Sequence, residues 1–305
     1  MNVFPMVSII IPVYNDGIRL KKCLEALENQ SYPTDNYEVI VIDNASDKEQ
    51  NIKAIVSQFS QTHYAYEAKQ GSYSARNKGL SLAKGEIIAF TDSDCLPTIN
   101  WLKNGVSALL AHPNCGLVAG KIELFFRNPN QPTAIELYES VTAFPQEKLL
   151  AEYHGAATAN VFTYRKIFDE VGGFDDSLKS NGDLEWGNRV YEKGYEQIYA
   201  EEVCIFHPAR HSWSQLYQRT IRLASGSFQR QSKALTSSLQ KQLLFLGYLR
   251  YNLTPPINFL IKVFRDQRFQ SLEEKLQVSL VMFFVRYCSA WELLRVKLGK
   301  ESARL

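Results

Sequence analysis

In Glu86-Ile87-Ile88-Ala89-Phe90-Thr91-Asp92-Ser93-Asp94-Cys95 an apolar run leads straight into two carboxylates separated by one serine. That run shows no polar alternation, which predicts a strand buried on both faces, as in a parallel sheet. Lys84-Gly85 before it is a turn signal, and Pro97 closes it. The two acids stand where a central strand ends, and in open α/β sheets ligands bind at that edge. Extended alternation would send Asp92 and Asp94 to one side and Ser93 to the other. Two convergent carboxylates suit a hard divalent cation, which can neutralise a diphosphate. A solvated strand end with two acids is the other reading of the same residues.

Working outward, Val7-Ser8-Ile9-Ile10-Ile11-Pro12-Val13-Tyr14-Asn15 predicts a first central strand, turned by Asn15-Asp16-Gly17. Leu20, Cys23, Leu24 and Leu27 recur at helical spacing within residues 18–29. Tyr37 to Asn44 predicts a second buried strand ending in an acid, Asp43. Asp47 reads as the N-cap of a helix carrying Ile52, Ile55, Val56 and Phe59. Gly71-Ser72-Tyr73-Ser74-Ala75-Arg76-Asn77-Lys78-Gly79 reads as a loop feeding a helix start, where Arg76 and Lys78 make an anion site or an ordinary basic turn. Alternating strands and helices predict an α/β fold with a doubly wound, mostly parallel sheet. The strand ends Tyr14, Asn15, Asp43 and Asn44 should then line one crevice.

Four of these segments, in this order and spacing, resemble the inverting family 2 glycosyltransferases of the GT-A fold. They are Ser8 to Asn15, Val41 to Asp47, Ala75-Arg76-Asn77-Lys78-Gly79, and Asp92-Ser93-Asp94. The likeness covers roughly the first two hundred residues. It implies a Rossmann-like nucleotide-binding half followed by an acceptor-binding half. It also implies that Pro12, Tyr14, Asn15 and Asp43 hold the base and ribose of a nucleotide-sugar. Arg76, Asp92 and Ser93 would meet the rest of the donor. Asp92 and Asp94, with His207, would hold Mg²⁺ or Mn²⁺ on its diphosphate. UDP is the default nucleotide by resemblance, with GDP and dTDP open.

The second half is less regular. Trp101 to Leu110 predicts a helix, Gly116 to Gly120 a short strand, and residues 126–150 a mobile loop and helix broken by Pro129 and Pro132. Gly155 to Phe162 resembles the family's acceptor-side strand, where Asn160 faces the sugar or only closes a turn. Ser180-Asn181-Gly182-Asp183-Leu184-Glu185 departs from the family, many members of which have Glu-Asp where this chain has Gly182-Asp183. Asp183 stands in the place of the catalytic base, with Glu185 as the fallback, and Arg189 is placed to hold one of the acids. His207 ends a last strand, and Arg210 and His211 are candidate phosphate neighbours.

Five scattered cysteines without a Cys-x-x-Cys pair argue against a disulfide framework or a zinc knuckle and for a reducing compartment. The first residues predict no signal peptide. Phe206 to Leu305 carries 16 Lys and Arg against 5 Asp and Glu, whereas the preceding residues carry 18 against 27. That basic stretch is apolar and aromatic but broken by Arg250, Arg265 and Arg286. It predicts interfacial helices on a membrane surface, or else a helical cap or dimer contact. The domain reading is a catalytic domain over residues 1–215, halved near residue 115, and a basic helical extension over 216–305. The function predicted is metal-dependent transfer of one sugar to a glycan or lipid-linked acceptor, for surface glycans, at the cytoplasmic face of the membrane. Two other readings remain at this point: a nucleotidyltransferase acting on sugar phosphates, and a nucleic-acid-binding module using the tail. The first lacks a Gly-rich phosphate loop after the first strand, and the second leaves the acidic strand ends unexplained, so no nucleic-acid partner is expected. A Gln-x-x-Arg-Trp motif, expected of processive synthases, is not found.

Overall fold

The computed structural model describes residues 4–299. In chain order the first elements are β1 (Val7–Val13), α1 (Gly17–Glu28), β2 (Tyr37–Asp43), α2 (Ile52–Val56), β3 (Thr62–Tyr66), α3 (Ser72–Leu82) and β4 (Ile87–Thr91). Then come β5 (Leu96–Pro97), α4 (Trp101–Ala111), β6 (Cys115–Phe125), α5 (Ala134–Thr142), α6 (Gln146–Tyr153), β7 (Asn160–Tyr164) and α7 (Arg165–Val171). The last are α8 (Gly182–Glu192), β8 (Glu196–Pro208), α9 (Trp213–Lys233), α10 (Ser238–Leu253), α11 (Ile257–Arg265) and α12 (Leu272–Lys297). The chain divides into two compact units. One holds the stretch to Leu124, Phe144–Ser177 and Gly182–His207; the other holds Phe125–Ala143, Leu178–Asn181 and the chain from Pro208 on.

The first unit is built on one eight-stranded sheet in the order β3-β2-β1-β4-β7-β6-β8-β5. β3, β2, β1 and β4 run parallel; β7 pairs antiparallel with β4 and β6, and β5 antiparallel with β8. The result is an α/β sheet with a parallel half, β3-β2-β1-β4, as the sequence predicts for the nucleotide-binding half. Every residue of β2 and β4 is buried, as their unbroken apolar runs require. Ile9 and Ile11 of β1 pack with Leu20, Cys23, Leu24 and Leu27 of α1 in one core cluster. Each such fully buried aliphatic side chain contributes about 1.5–3 kcal/mol. On α3, a Cβ at Gly79 would lie 2.4 Å from Ile10 Cγ2, so only glycine lets this helix sit so close to β1.

Several local expectations are corrected. The segment Gly71 to Gly79 is the helix α3 itself, with Arg76 inside it, and not a loop leading to a helix start. Asp47 precedes a 3₁₀ turn, Lys48–Gln50, and makes no capping bond; α2 starts only after Asn51, in the left-handed region at φ 49°. β3 was not foreseen, β6 is longer than Gly116 to Gly120, and residues 126–150 form parts of two helices, α5 and α6. The cysteines of the described residues are free thiols.

The second unit is helical. Ile135 and Tyr138 of α5, Leu216 of α9, Val263 of α11, Phe269, and Val278 and Val281 of α12 form its core. α5 opens with a capping box, Thr133 with Glu136, and α12 with another, Ser271 with Glu274. α12 begins at Leu272, a turn before the Leu276 start read from the sequence. Among the described residues no helix is long and apolar enough to cross a membrane.

Candidate active site

The first unit gathers the candidate residues at the carboxyl ends of its parallel strands. Register puts three strand ends on one level: Val13 pairs with Asp43, and Asp43 with Tyr66. Pro12 lies within β1, opposite Ile42. Beyond Val13, Tyr14 is exposed and Asn15 takes the left-handed region at φ 51°, which asparagine tolerates. The Asn15 side chain is laced to the loop after β2: its oxygen accepts the Asp47 N–H at 2.7 Å, and its NH₂ donates to Asp47 Oδ2 at 3.0 Å. Asp43 is nearly buried. Its Oδ1 accepts the Ser46 N–H at 2.9 Å and its Oδ2 the Tyr64 hydroxyl at 3.1 Å. Burial, and then the bond to Asp43, push the Tyr64 phenol up to about 12.

The two acids of the Asp-Ser-Asp segment have separate partners. β4 stops at Thr91, and the Cys95 N–H closes a turn on the Asp92 carbonyl at 3.1 Å. The extended alternation read from the sequence thus ends one residue too early to govern them, and Ser93 between them is buried. Asp92 Oδ1 lies 2.5 Å from Nη2 of Arg76, a buried guanidinium whose Nε has no hydrogen-bond partner. Asp94 lies 3.5 Å from His207 Nε2 through Oδ1 and 3.5 Å from Arg19 Nη1 through Oδ2. His207 is itself buried, its ring tilted on that of Phe144 at 4.6 Å.

Ligand atoms of Asp94, Cys95 and His207 lie within 4.8 Å of one another. The chemistry of this set fits a cation such as Mg²⁺ or Mn²⁺ through Asp94 and His207, with oxygen ligands of a substrate completing the shell. Cys95 does not belong to it, because burial, reinforced by Asp94 and Asp92, holds its thiol protonated well above the usual range. Arg19 already brings positive charge to the second oxygen of Asp94. Asp92 would join the cation only by loosening its bond to Arg76.

Asp183 sits in the first turn of α8, partly exposed. Its Oδ1 accepts the Tyr73 hydroxyl at 3.3 Å and the Leu184 N–H at 3.0 Å. Burial raises its pKa, and the Arg76 charge is the main influence pulling it back. Arg76 thus bonds one carboxylate, Asp92, and acts electrostatically on another, Asp183. The Tyr73 hydroxyl also accepts the Gly182 N–H at 2.9 Å, and burial pushes its own pKa up. Glu185 is differently placed: Arg189 grips both its oxygens, at 2.7 and 3.0 Å, and also bonds the carbonyls of Val171 and Gly173. Asn160 is fully buried. It accepts the Trp101 Nε1–H at 2.9 Å and donates to the Lys121 and Val203 carbonyls at 2.8 Å each, so its amide is spent on the fold and not on a sugar. Arg210 lies in the second unit, bonded to Glu139.

The sequence reading missed Arg19, Tyr64 and Tyr73. Tyr73 had one available signal, its place three residues before Arg76 on what is now a helix.

Residues 8–172 match the model for glycosyl transferase family 2. The chain is 38% identical over 230 residues to glycosyltransferase AglE of Haloferax volcanii, covering 74% of each chain. Among solved structures it resembles the mannosyltransferase PcManGT of Pyrobaculum calidifontis in complex with GDP-Man and Mn²⁺. That likeness has a TM-score of 0.65 at 20% identity and covers 98% of this chain and 89% of the other. It also resembles residues 1–349 of S. aureus TarS with UDP-GlcNAc, at a TM-score of 0.54 and 16% identity over 97% and 92% of the two chains. The family match favours a glycosyltransferase over the nucleotidyltransferase reading. The chain belongs to glycosyl transferase family 2 and is a glycosyltransferase of the GT-A fold.

Proposed function

We propose that the enzyme transfers one sugar from a nucleotide-sugar, with UDP as the nucleotide, to a glycan or lipid-linked acceptor by a single inverting displacement. The observation that carries this reading is the line Asp92–Arg76–Asp183. It spaces a donor-side carboxylate and a base-side carboxylate about one guanidinium. Pro12, Tyr14, Asn15 and Asp43 hold the nucleoside; Ser93 and Arg76 stand on the phosphate side. Asp94 and His207 would hold Mg²⁺ or Mn²⁺, which would supply positive charge to the leaving diphosphate when bound. Asp183 takes the acceptor hydroxyl proton as that oxygen bonds to the anomeric carbon, and the electrons of the breaking bond leave on the diphosphate. Glu185, held at both oxygens by Arg189, positions the end of α7 and leaves the proton to Asp183.

The solved relatives carry GDP-Man with Mn²⁺ and UDP-GlcNAc, which supports a nucleotide-sugar donor and a divalent cation here. The basic, aromatic helices of the second unit support action at a membrane surface, on its cytoplasmic side where nucleotide-sugars are made, for glycans destined for the cell surface. The domain division at about residue 215 is part of this proposal.

The test is Asp183→Asn assayed with a panel of nucleotide-sugars and Mn²⁺. Donor binding is retained and transfer falls by about 10²–10⁴-fold. Full transfer by Asp183→Asn, with Glu185→Gln inactive, moves the base to Glu185. NMR of the first-formed product shows the opposite anomeric configuration to the donor; retention rejects the displacement itself.

A further inference from the structure

The second unit holds a cluster of cations that the reaction above does not use. Glu139 of α5 is fully buried, and two guanidiniums lean on it. Arg210 takes most of its capacity: its N–H donates to Oε2 at 2.9 Å, and its Nη1 reaches Oε1 at 3.0 Å and Oε2 at 3.3 Å. Arg219 of α9 gets the remainder, a single Nε approach to Oε1 at 3.7 Å, and makes no hydrogen bond among the described residues. A guanidinium carries five N–H donors in a fixed fork and does not shed its proton in proteins. A third cation, Arg222, acts on Arg219 from one turn further along α9. Burial and the Arg210 charge both disfavour the charged form of Arg219.

Even with Arg222 set aside, two arginines share one carboxylate. Charges held partly out of water are costly unless paired, and an anion relieves that cost better than water does. The side chains of Arg210 and Arg219 stay 22% and 19% exposed, so the forks remain open to solvent on one side. A planar fork beside a second cation matches the oxygens of a phosphate. The surroundings are apolar. Tyr138, whose electrostatics couple to Arg219, packs on Phe259 of α11 at 6.0 Å between ring centroids. The outer face of that same helix exposes Ile257, Ile261 and Phe264 at helical spacing.

We infer that Arg219, with Arg210 and Arg222, receives the phosphoryl group of an amphiphilic ligand, a lipid phosphate. This deepens the acceptor class given above and rests on that reading only for the claim that the lipid phosphate is the acceptor. The phosphate-binding assignment itself stands on the second unit alone.

The experiment uses the full chain and four probes: inorganic phosphate, a short polyprenyl monophosphate, the corresponding polyprenyl alcohol, and phosphatidylglycerol vesicles. Binding is followed by calorimetry, with nucleotide-sugar affinity measured in parallel. The wild type binds polyprenyl phosphate and not the alcohol. Arg219→Gln weakens that binding by about tenfold or more, as expected for losing a charge-assisted pair. Arg219→Lys, which keeps the charge and loses the fork, weakens it severalfold but less than Arg219→Gln, and it serves as the informative variant should Arg219→Gln fail to fold. Glu139→Gln removes the competing carboxylate and tightens it. Inorganic phosphate competing with the lipid confirms phosphoryl recognition. Vesicle binding that depends on Arg219, without polyprenyl phosphate binding, assigns the phosphoryl group to a headgroup. Equal binding of alcohol and phosphate, or binding indifferent to both Arg219 variants, overturns the inference. Loss of sugar transfer with phosphate binding intact faults the proposed function and leaves this site standing.

Discussion

Tyr73→Phe removes one oxygen and keeps the ring that stacks on Phe174 at 5.8 Å between centroids. The lost hydroxyl has two partners, the Asp183 carboxylate and the Gly182 N–H. A hydrogen bond to a charged group contributes about 1.5–3 kcal/mol. The bond to Asp183 is 3.3 Å long, at the weak end of the range, so about 1 kcal/mol is the fitting figure. Dividing by 1.36 kcal/mol per pKa unit, the effect is about 0.7 of a pH unit. The sign follows from which form the bond favours. A phenol O–H donates to the carboxylate, so it holds Asp183 toward the ionised form against burial, and its loss raises the Asp183 pKa further. A base must be ionised to work, so the acid limb of kcat/KM moves up by about 0.7 pH unit. The plateau at high pH changes little. A rate profile over pH 4–9 with saturating metal reads this directly, and donor KM serves as the control. An acid limb that stays put while the plateau falls would mean that Tyr73 only supports the fold, or that Asp183 is not the base.

Three further outcomes are expected. Asp94→Ala and His207→Ala abolish the Mn²⁺-dependent part of donor binding in a thermal-shift titration, and Asp92→Ala does so more weakly; unchanged metal dependence in Asp94→Ala would remove the metal assignment. Asn160→Ala leaves the Trp101 N–H and two carbonyls without their partner, so urea denaturation shows a loss of about 3 kcal/mol or more, at about 1–3 kcal/mol for each of three stranded groups, while donor and acceptor KM stay near wild type. Gly182→Glu, which restores the carboxylate common in the family, lowers activity because its Cβ would lie 2.8 Å from the Tyr73 ring. In Tyr73→Ala the same substitution costs less, a coupling that a double-mutant cycle measures.

What the sequence made legible and what it hid follow from the same physics. β1, β2 and β4 could be read because strands buried on both faces leave unbroken apolar runs, and the register then brought Val13 and Asp43 to one edge. β3 could not: Thr62–Tyr66 is only partly buried, and its Thr, His and Tyr residues carry no such run. α3 was hidden for a related reason. Its buried residues are Tyr73, Ser74, Ala75, Arg76 and Gly79, so it buries polar and small groups where an apolar stripe would have announced a helix. The pairing of Asp92 with Arg76 and of Tyr73 with Asp183 joins segments 16 and 110 residues apart, and no local spacing encodes such contacts. Asn160 stayed open in the sequence between facing a sugar and closing a turn. A polar residue in a family's acceptor strand looks functional until its three bonds are found to be spent on Trp101, Lys121 and Val203.

Gly182 and Tyr73 are best understood together. A glutamate at position 182 would place a second negative charge next to Asp183, and a like charge raises the proton affinity of its neighbour. Here that carboxylate is gone and the Tyr73 ring fills the space against the glycine. Burial alone then raises the Asp183 pKa, while Arg76 and the Tyr73 hydroxyl oppose it. With Asp183 proposed as the base, its tuning falls to a neutral donor and a cation on one helix, α3. Because Arg76 also bonds Asp92, any movement of α3 shifts both carboxylates at once. Were Asp92 drawn from Arg76 by a bound cation, that guanidinium would be freer to favour ionised Asp183. On the proposed roles, loading of the donor side and readiness of the base would be linked through the Arg76 side chain.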